Sequence, residues 1–245
     1  MKDTSTLTGN GIRTGAQYIS GLQDDREIWT MGKRIKDVTV EPGMSRGVSS
    51  LAGFLDKQHD KKYQDKVTYV DEDGIRCPLS FKTPKSKQDI LDRGKAYYEW
   101  ATWSHGMFGR TPDYKNASLM SFSAARSFLD KGTVGSADFS TNMLNFYNYA
   151  RTNDQILTHT LINPSVSHKQ AAAGIYNDTV ALHVVKETDA GIVVSGARLL
   201  ATLGPFADEI EVFPSTVLKA DPANIPFAFA FATPIAPPGL KLICR

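Results

Sequence analysis

Cysteine is nearly missing from this chain of 245 residues: only Cys77 and Cys244 occur, far apart and in no spaced motif. That argues against a disulfide framework or a cysteine-ligated metal site, and makes a reducing compartment the expected setting. Charge of one sign is missing too. Twenty-eight Lys and Arg face 26 Asp and Glu, for a net charge of +2 with no single-sign block. Such a balance offers no electrostatic footprint for nucleic acid or an anionic membrane. No apolar run approaches the roughly 18 residues needed to cross a bilayer. The opening residues Met1-Lys2-Asp3-Thr4-Ser5 lack the apolar core of a secretory signal. A soluble, cytoplasmic protein is expected. There is no GxGxxG opening a helix, no Walker loop, no HExxH and no GxSxG. The five histidines (His59, His105, His159, His168, His183) have no ligand spacing, so no metal is expected.

What remains is an ordinary globular composition, 41% apolar and 22% charged, in a chain long enough for one large domain or two smaller ones. Its character changes near residue 152. All three tryptophans and eight of the nine tyrosines precede that point. In the first part, Val48, Leu51, Ala52 and Leu55 fall at helical spacing. Ser86 and Asp89 read as a helix start, with Ile90, Gly94, Tyr97, Ala101 and Ser104 on one face and a stop at Gly109 ahead of Pro112. Phe139, Met143, Phe146 and Ala150 suggest another helix. Beyond residue 152 the period becomes two. Strands are expected over 156–162, 180–186, 191–200 and 209–218, with a turn at 187–191. Phe227 to Phe231 alternates like a strand with one crowded face. A strand beginning at Leu240 is interrupted at Arg245, which suggests that more protein follows. The predicted organisation is therefore α+β, with a mainly helical domain over 1–152 and a strand-rich domain over 153–245.

Two places could carry chemistry. The segment Arg110 to Tyr114 follows a helix end and offers a fixed cation beside a phenol hydroxyl. The strand around residue 159 places His159 between Leu157 and Leu161 on one face. Each also has a structural reading: Arg110 as a cap on helix carbonyls, Tyr114 as a half-buried aromatic, His159 as a satisfied core histidine.

Gly109-Arg110-Thr111-Pro112-Asp113-Tyr114-Lys115 resembles the signature loop of the 4-hydroxyphenylacetate 3-hydroxylase family, the oxygenase components of two-component flavin monooxygenases. Three further stretches agree in order along the chain. Thr14-Gly15-Ala16-Gln17-Tyr18 with Leu22 to Glu27 resembles the family's opening, with Val38-Thr39 soon after. His159-Thr160-Leu161-Ile162-Asn163-Pro164 resembles its His-x-x-x-Asn-Pro strand, and Glu187 to Ala197 its central hairpin.

The resemblance implies an acyl-CoA dehydrogenase-like fold. A helical front domain leads to a β-barrel-like middle domain, and the C-terminal helical bundle that builds a homotetramer is missing from this chain. It implies hydroxylation of a phenol ortho to its hydroxyl, using O2 and reduced FAD from a separate flavin reductase. Carried over residue by residue, Arg110, Tyr114 and His159 match the residues around the phenolic oxygen. Ser215 and Thr216 align loosely with residues holding the substrate's tail. Thr202 aligns with a flavin-contacting threonine, and His159, Ser165, Ser167 and His168 fall on the remaining flavin-side positions. At Ser167-His168 the chain departs from the family's usual Asp-Arg pair, which puts that flavin contact in question. Two other readings stay open: a truncated chain without catalysis, or a flavoenzyme of acyl-CoA dehydrogenase type. An iron–sulfur dehydratase would need more cysteines than two.

Overall fold

The structure, a computed structural model of the chain, describes residues 9–107, 111–132, 138–164, 180–189, 191–216 and 218–245. It opens with helix α1 (Gly15–Gly21), whose N-cap Thr14 forms a capping box with Gln17. The Thr14 hydroxyl accepts from the Gln17 N–H and the Gln17 side chain accepts from the Thr14 N–H, so two otherwise orphaned donors are satisfied. Strands β1 (Glu27–Thr30) and β2 (Lys33–Ile35) form a hairpin. Its turn residues Met31 (φ 47°) and Gly32 (φ 76°) are both left-handed, as a type I′ turn requires. Helix α2 (Ser45–Lys57) buries Val48, Leu51, Ala52, Phe54 and Leu55 as one apolar stripe. It passes so close to α1 that a Cβ on Gly15 would lie 2.6 Å from the Ala52 carbonyl oxygen. A short helix α3 (Gln64–Val67) leads to the antiparallel pair β3 (Thr68–Val70) and β4 (Arg76–Pro78).

Three helices follow, α4 (Lys87–Trp103), α5 (Pro112–Ala124) and α6 (Phe139–Thr152), and then β5 (Leu157–Thr160). Strands β6 (His183–Thr188) and β7 (Gly191–Ser195) form a hairpin, and β8 (Glu209–Val212), β9 (Phe231–Pro234) and β10 (Lys241–Cys244) complete the order. The sheets are β10-β1-β2, β3-β4, β5-β8-β9 and β6-β7. Among the described residues these stay separate and no barrel closes, so the architecture is mixed α and β rather than the expected barrel.

Several expectations need correction. Ser86 does cap α4, accepting from the Asp89 N–H, but the helix ends at Trp103, well before Gly109, which lies outside the described residues. Left-handed His105 (φ 52°) and Gly106 (φ 68°) stop it, the Gly106 N–H reaching back to the Ala101 carbonyl at 2.8 Å. The buried face is Ala96 and Trp100, whereas Ile90 is 54% exposed. Pro112 does not end a helix; it opens α5, because its fixed φ suits the first helical position and its missing N–H costs nothing there. Among the described residues the first part also contains four strands of three or four residues, too short for a period-two pattern to register. Phe227 to Ala230 is not a strand, and β9 begins only at Phe231. Pro222–Phe227 is a 3-10 turn started by the Asp221 side chain, which accepts from the Ala223 N–H, and Pro226 cannot donate to a ladder. The strand expected over 209–218 stops at Val212, two residues before Pro214.

One apolar core joins the segments on either side of residue 152. Tyr18, Leu22, Val48, Leu51, Phe54, Leu55 and Trp100 pack with Ile156, Leu203, Ala207, Ile210, Val212 and Ile235. The opposite face of β5 packs differently: Leu157 joins Phe81, Leu119 of α5 and Ala150 of α6. Parallel pairing of β5 with β8 puts Leu157 beside Glu209 and His159 beside Glu211, and in-register neighbours share a face. That face, under α5 and α6, is where the polar residues gather.

Arg13 ties the two segments together. Its guanidinium donates to both Asp208 carboxylate oxygens at 2.5 and 3.3 Å and to the Asp154 carbonyl at 3.0 Å. Its backbone N–H donates to the Asp154 side chain, which also accepts from Gln58 at 2.8 Å. Asp208 in turn accepts from the Ile156 N–H at 2.8 Å.

Candidate functional site

The first turn of α5 faces β5 across a small cleft. Thr111, Tyr114 and Lys115 line one side, Leu157, Thr158 and His159 another, and Thr202 and Leu203 a third. The Tyr114 and His159 ring centroids are 5.8 Å apart, with planes tilted by 48°. Tyr114 is 48% exposed and His159 half-buried, so the pair stands at the mouth of the cleft. The enclosed space is about 10 Å³, room for roughly one water.

Burial shapes the electrostatics around this turn. Asp113, one residue before Tyr114, is buried and its carboxyl is pushed above the usual range, while bonds from Thr111 and the main chain pull it back. Asn116 anchors α5 by donating to the Ser80 hydroxyl at 3.0 Å. Lys115 and Glu211 form an ion pair at 2.7 Å with both side chains only 5% exposed. The Lys115 ammonium also lies 5.0 Å from the centroid of the Phe213 ring. Burial raises the Glu211 carboxyl and the Lys115 charge opposes the rise. Glu209, two residues earlier on the same face, is pushed up to about 7, first by burial and then by the neighbouring Asp208 charge.

Of the residues singled out in the sequence, the cleft brings together Tyr114, His159 and Thr202, the last exposed at its rim. Arg110, Ser165, Ser167 and His168 lie outside the described residues. Ser215 is buried and Thr216 exposed in the turn after β8, and neither lines the cleft. Thr111, Lys115 and Glu211 were not foreseen. The signal for Glu211 was present, since Glu209-Ile210-Glu211-Val212 puts two carboxylates into an interior strand, where unpaired charge is costly. Finding its partner required the pairing of α5 with the sheet.

Comparison with known proteins identifies the family. Residues 14–245 match the model described as 4-hydroxyphenylacetate 3-hydroxylase N terminal. The chain belongs to this family. The oxygenase component of 4-hydroxyphenylacetate 3-monooxygenase from Thermus thermophilus is 40% identical over 95% of the chain and 46% of that protein. A crystal structure of such an oxygenase component, complexed with FAD and 4-hydroxyphenylacetate, superposes with a TM-score of 0.85 at 40% identity, over 95% of the chain and 47% of that one. An archaeal 4-hydroxybutyryl-CoA dehydratase from N. maritimus, 16% identical with a TM-score of 0.79 over 95% of the chain and 45% of its own, shares the fold alone. The chain thus spans about half the length of the relatives it matches. Among the described residues no helix is long and apolar enough to cross a membrane.

Proposed function

We propose that this chain forms the phenol-binding part of the oxygenase component of a two-component flavin monooxygenase, hydroxylating a phenol ortho to its hydroxyl with O2 and reduced FAD. The observation that carries this is the meeting of Tyr114 and His159 at one cleft, within a chain matched to the family over 14–245. The Tyr114 hydroxyl and the His159 imidazole hold the phenolic oxygen, and Arg110 supplies a charge partner that is never deprotonated. A free phenol has a pKa of about 10. A nearby guanidinium favours the more nucleophilic anion, and His159 takes the phenolic proton as the ring attacks the activated oxygen. The cleft as it stands admits a water rather than a phenol, and the exposed Tyr114 ring is the side chain placed to give way. Ser215 and Thr216 hold the far end of the substrate.

Reduced FAD, delivered by a separate flavin reductase, supplies activated oxygen when bound. The residues next to the cleft fit a flat aromatic cofactor. Ile162, three residues after His159, and Leu199, three before the exposed Thr202, are bridged to each other and both remain well exposed. Thr202 and His159, with Ser165, Ser167 and His168, hold the flavin. On the acyl-CoA dehydrogenase plan that the family resemblance implies, a C-terminal helical bundle completes this site and builds a cytoplasmic tetramer. In that plan 1–152 is the helical domain and 153–245 the middle one.

The test is a chimera in which residues 14–245 replace the matching half of the Thermus thermophilus relative, assayed with a flavin reductase and 4-hydroxyphenylacetate. His159→Ala is expected to lower hydroxylated product by about 10²-fold, the lower end of general-base effects. Oxygen consumption should continue, with the reducing equivalents appearing as hydrogen peroxide. Undiminished product from the His159→Ala chimera would overturn the assignment.

A further inference from the structure

Glu211 has a geometry that the ion pair with Lys115 does not exhaust. One carboxylate oxygen, Oε2, receives the Lys115 ammonium at 2.7 Å. The other, Oε1, is buried and has no hydrogen-bond partner among the described residues. A buried carboxylate oxygen without a donor is costly, and its persistence needs a reason. The in-register neighbours of Glu211 on its sheet face are His159 on β5 and Ala232 on β9. Ala232 has no side-chain donor. Along β8 the same face carries Glu209 and Phe213, which offer no cation, and among the described residues of the first turn of α5 the titratable groups are the acid Asp113, the Tyr114 phenol and the Lys115 already bound to Oε2. Among these neighbours only His159 carries a ring N–H.

We propose that Glu211 is a positioning residue for His159: its Oε1 accepts the N–H of the imidazole nitrogen facing the sheet, while Lys115 holds Oε2 in place. A small turn of the ring about its side-chain torsions completes the bond. A carboxylate bound to one ring nitrogen fixes the tautomer and leaves the other nitrogen as a lone-pair acceptor. The proton needed at one side of the ring is thus kept away from the side turned to the cleft. Lys115 has a distinct part. By keeping Glu211 charged and its carboxylate plane fixed, it lets a buried acid act as a steady acceptor. The consequence for catalysis rests on the reading of His159 as the phenol's proton acceptor, but the hydrogen bond itself does not.

The bond is read directly by ¹⁵N NMR of the histidine-labelled 245-residue protein, the His159 signals being those lost in His159→Ala. In the native protein one tautomer should dominate. The double variant Lys115→Met/Glu211→Leu removes both charges together, a change that buried pairs often tolerate, and should reduce the tautomer ratio at least tenfold. Glu211→Gln keeps the shape of the side chain, so the measurement survives if the double variant fails to fold. Its neutral amide oxygen is a weaker acceptor than a carboxylate, and the ratio should again fall. An unchanged His159 tautomer ratio in either folded variant overturns the proposal. The hydroxylation assay separates the two ideas. If the variants shift the tautomer while His159→Ala leaves product formation intact, Glu211 positions a histidine that does not act as the base. If His159→Ala abolishes product while the tautomer ignores Glu211, the base is right and its positioning by Glu211 is wrong.

Discussion

Glu209→Gln should abolish a specific pH dependence of stability. Glu209 is buried on the β8 face that also carries Glu211, but among the described residues no cation pairs with it. Arg13 is committed to Asp208, and the Asp208 charge itself disfavours ionisation of Glu209. Its folded pKa is raised from 4.5 to about 7. At pH 4 and below both folded and unfolded chains hold this proton, so the group takes nothing from stability. Between about 4.5 and 7 the unfolded chain releases the proton while the folded chain keeps it, and the fold loses ground. Above 7 the loss is complete. At about 1.4 kcal/mol per unit, the shift corresponds to about 3 kcal/mol, an upper value because a buried site relaxes on ionising. A glutamine stays neutral throughout. Urea unfolding followed by circular dichroism at pH 5 and pH 8 should find the variant gaining about 2–3 kcal/mol relative to the native chain between the two conditions. Other groups titrate alike in both proteins, so the double difference isolates this one. Parallel pH dependence in the two proteins would refute the reasoning.

Arg13→Met leaves Asp208 and the buried Asp154 without their shared cation, and should cost about 3–5 kcal/mol in urea unfolding; a loss below about 1 kcal/mol would show that water replaces the guanidinium there. Leu157→Ala empties a fully buried position among Phe81, Leu119 and Ala150 and should cost about 2–5 kcal/mol by the same measurement, with a milder loss showing that α5 and α6 close over the gap.

Helix positions were legible where local chemistry sufficed. Val48, Leu51, Ala52 and Leu55 mark α2 because an amphipathic stripe depends only on spacing. Ser86 and Asp89 mark the start of α4 because a cap is a bond between neighbours. The end of α4 was misread because any residue able to adopt left-handed φ can stop a helix, and His105 with Gly106 did so before Gly109. Strands of three or four residues, such as β1 and β2, have their pairing settled across space. β1 takes β10, more than two hundred residues away, as its parallel neighbour. No periodicity within either segment encodes that choice.

The candidate site divides along the same line. Tyr114 and His159 could be named because their motifs are contiguous, and the structure brings their rings together. Lys115 belongs to the same motif as Tyr114, yet nothing beside it in the chain says that it should be buried. Its charge is tolerated only because β8 presents Glu211 in register with His159. Replacing Lys115 alone would strand that carboxylate, and replacing Glu211 alone would strand the ammonium, so the two are coupled more tightly than either is to its sequence neighbours. A buried ion pair that joins the turn carrying Tyr114 to β8, whose parallel neighbour β5 carries His159, therefore helps to fix the distance between the two aromatic groups. The interval between them is held by charge as well as by packing, which is why small apolar changes on α5 should disturb it less than the loss of either ion.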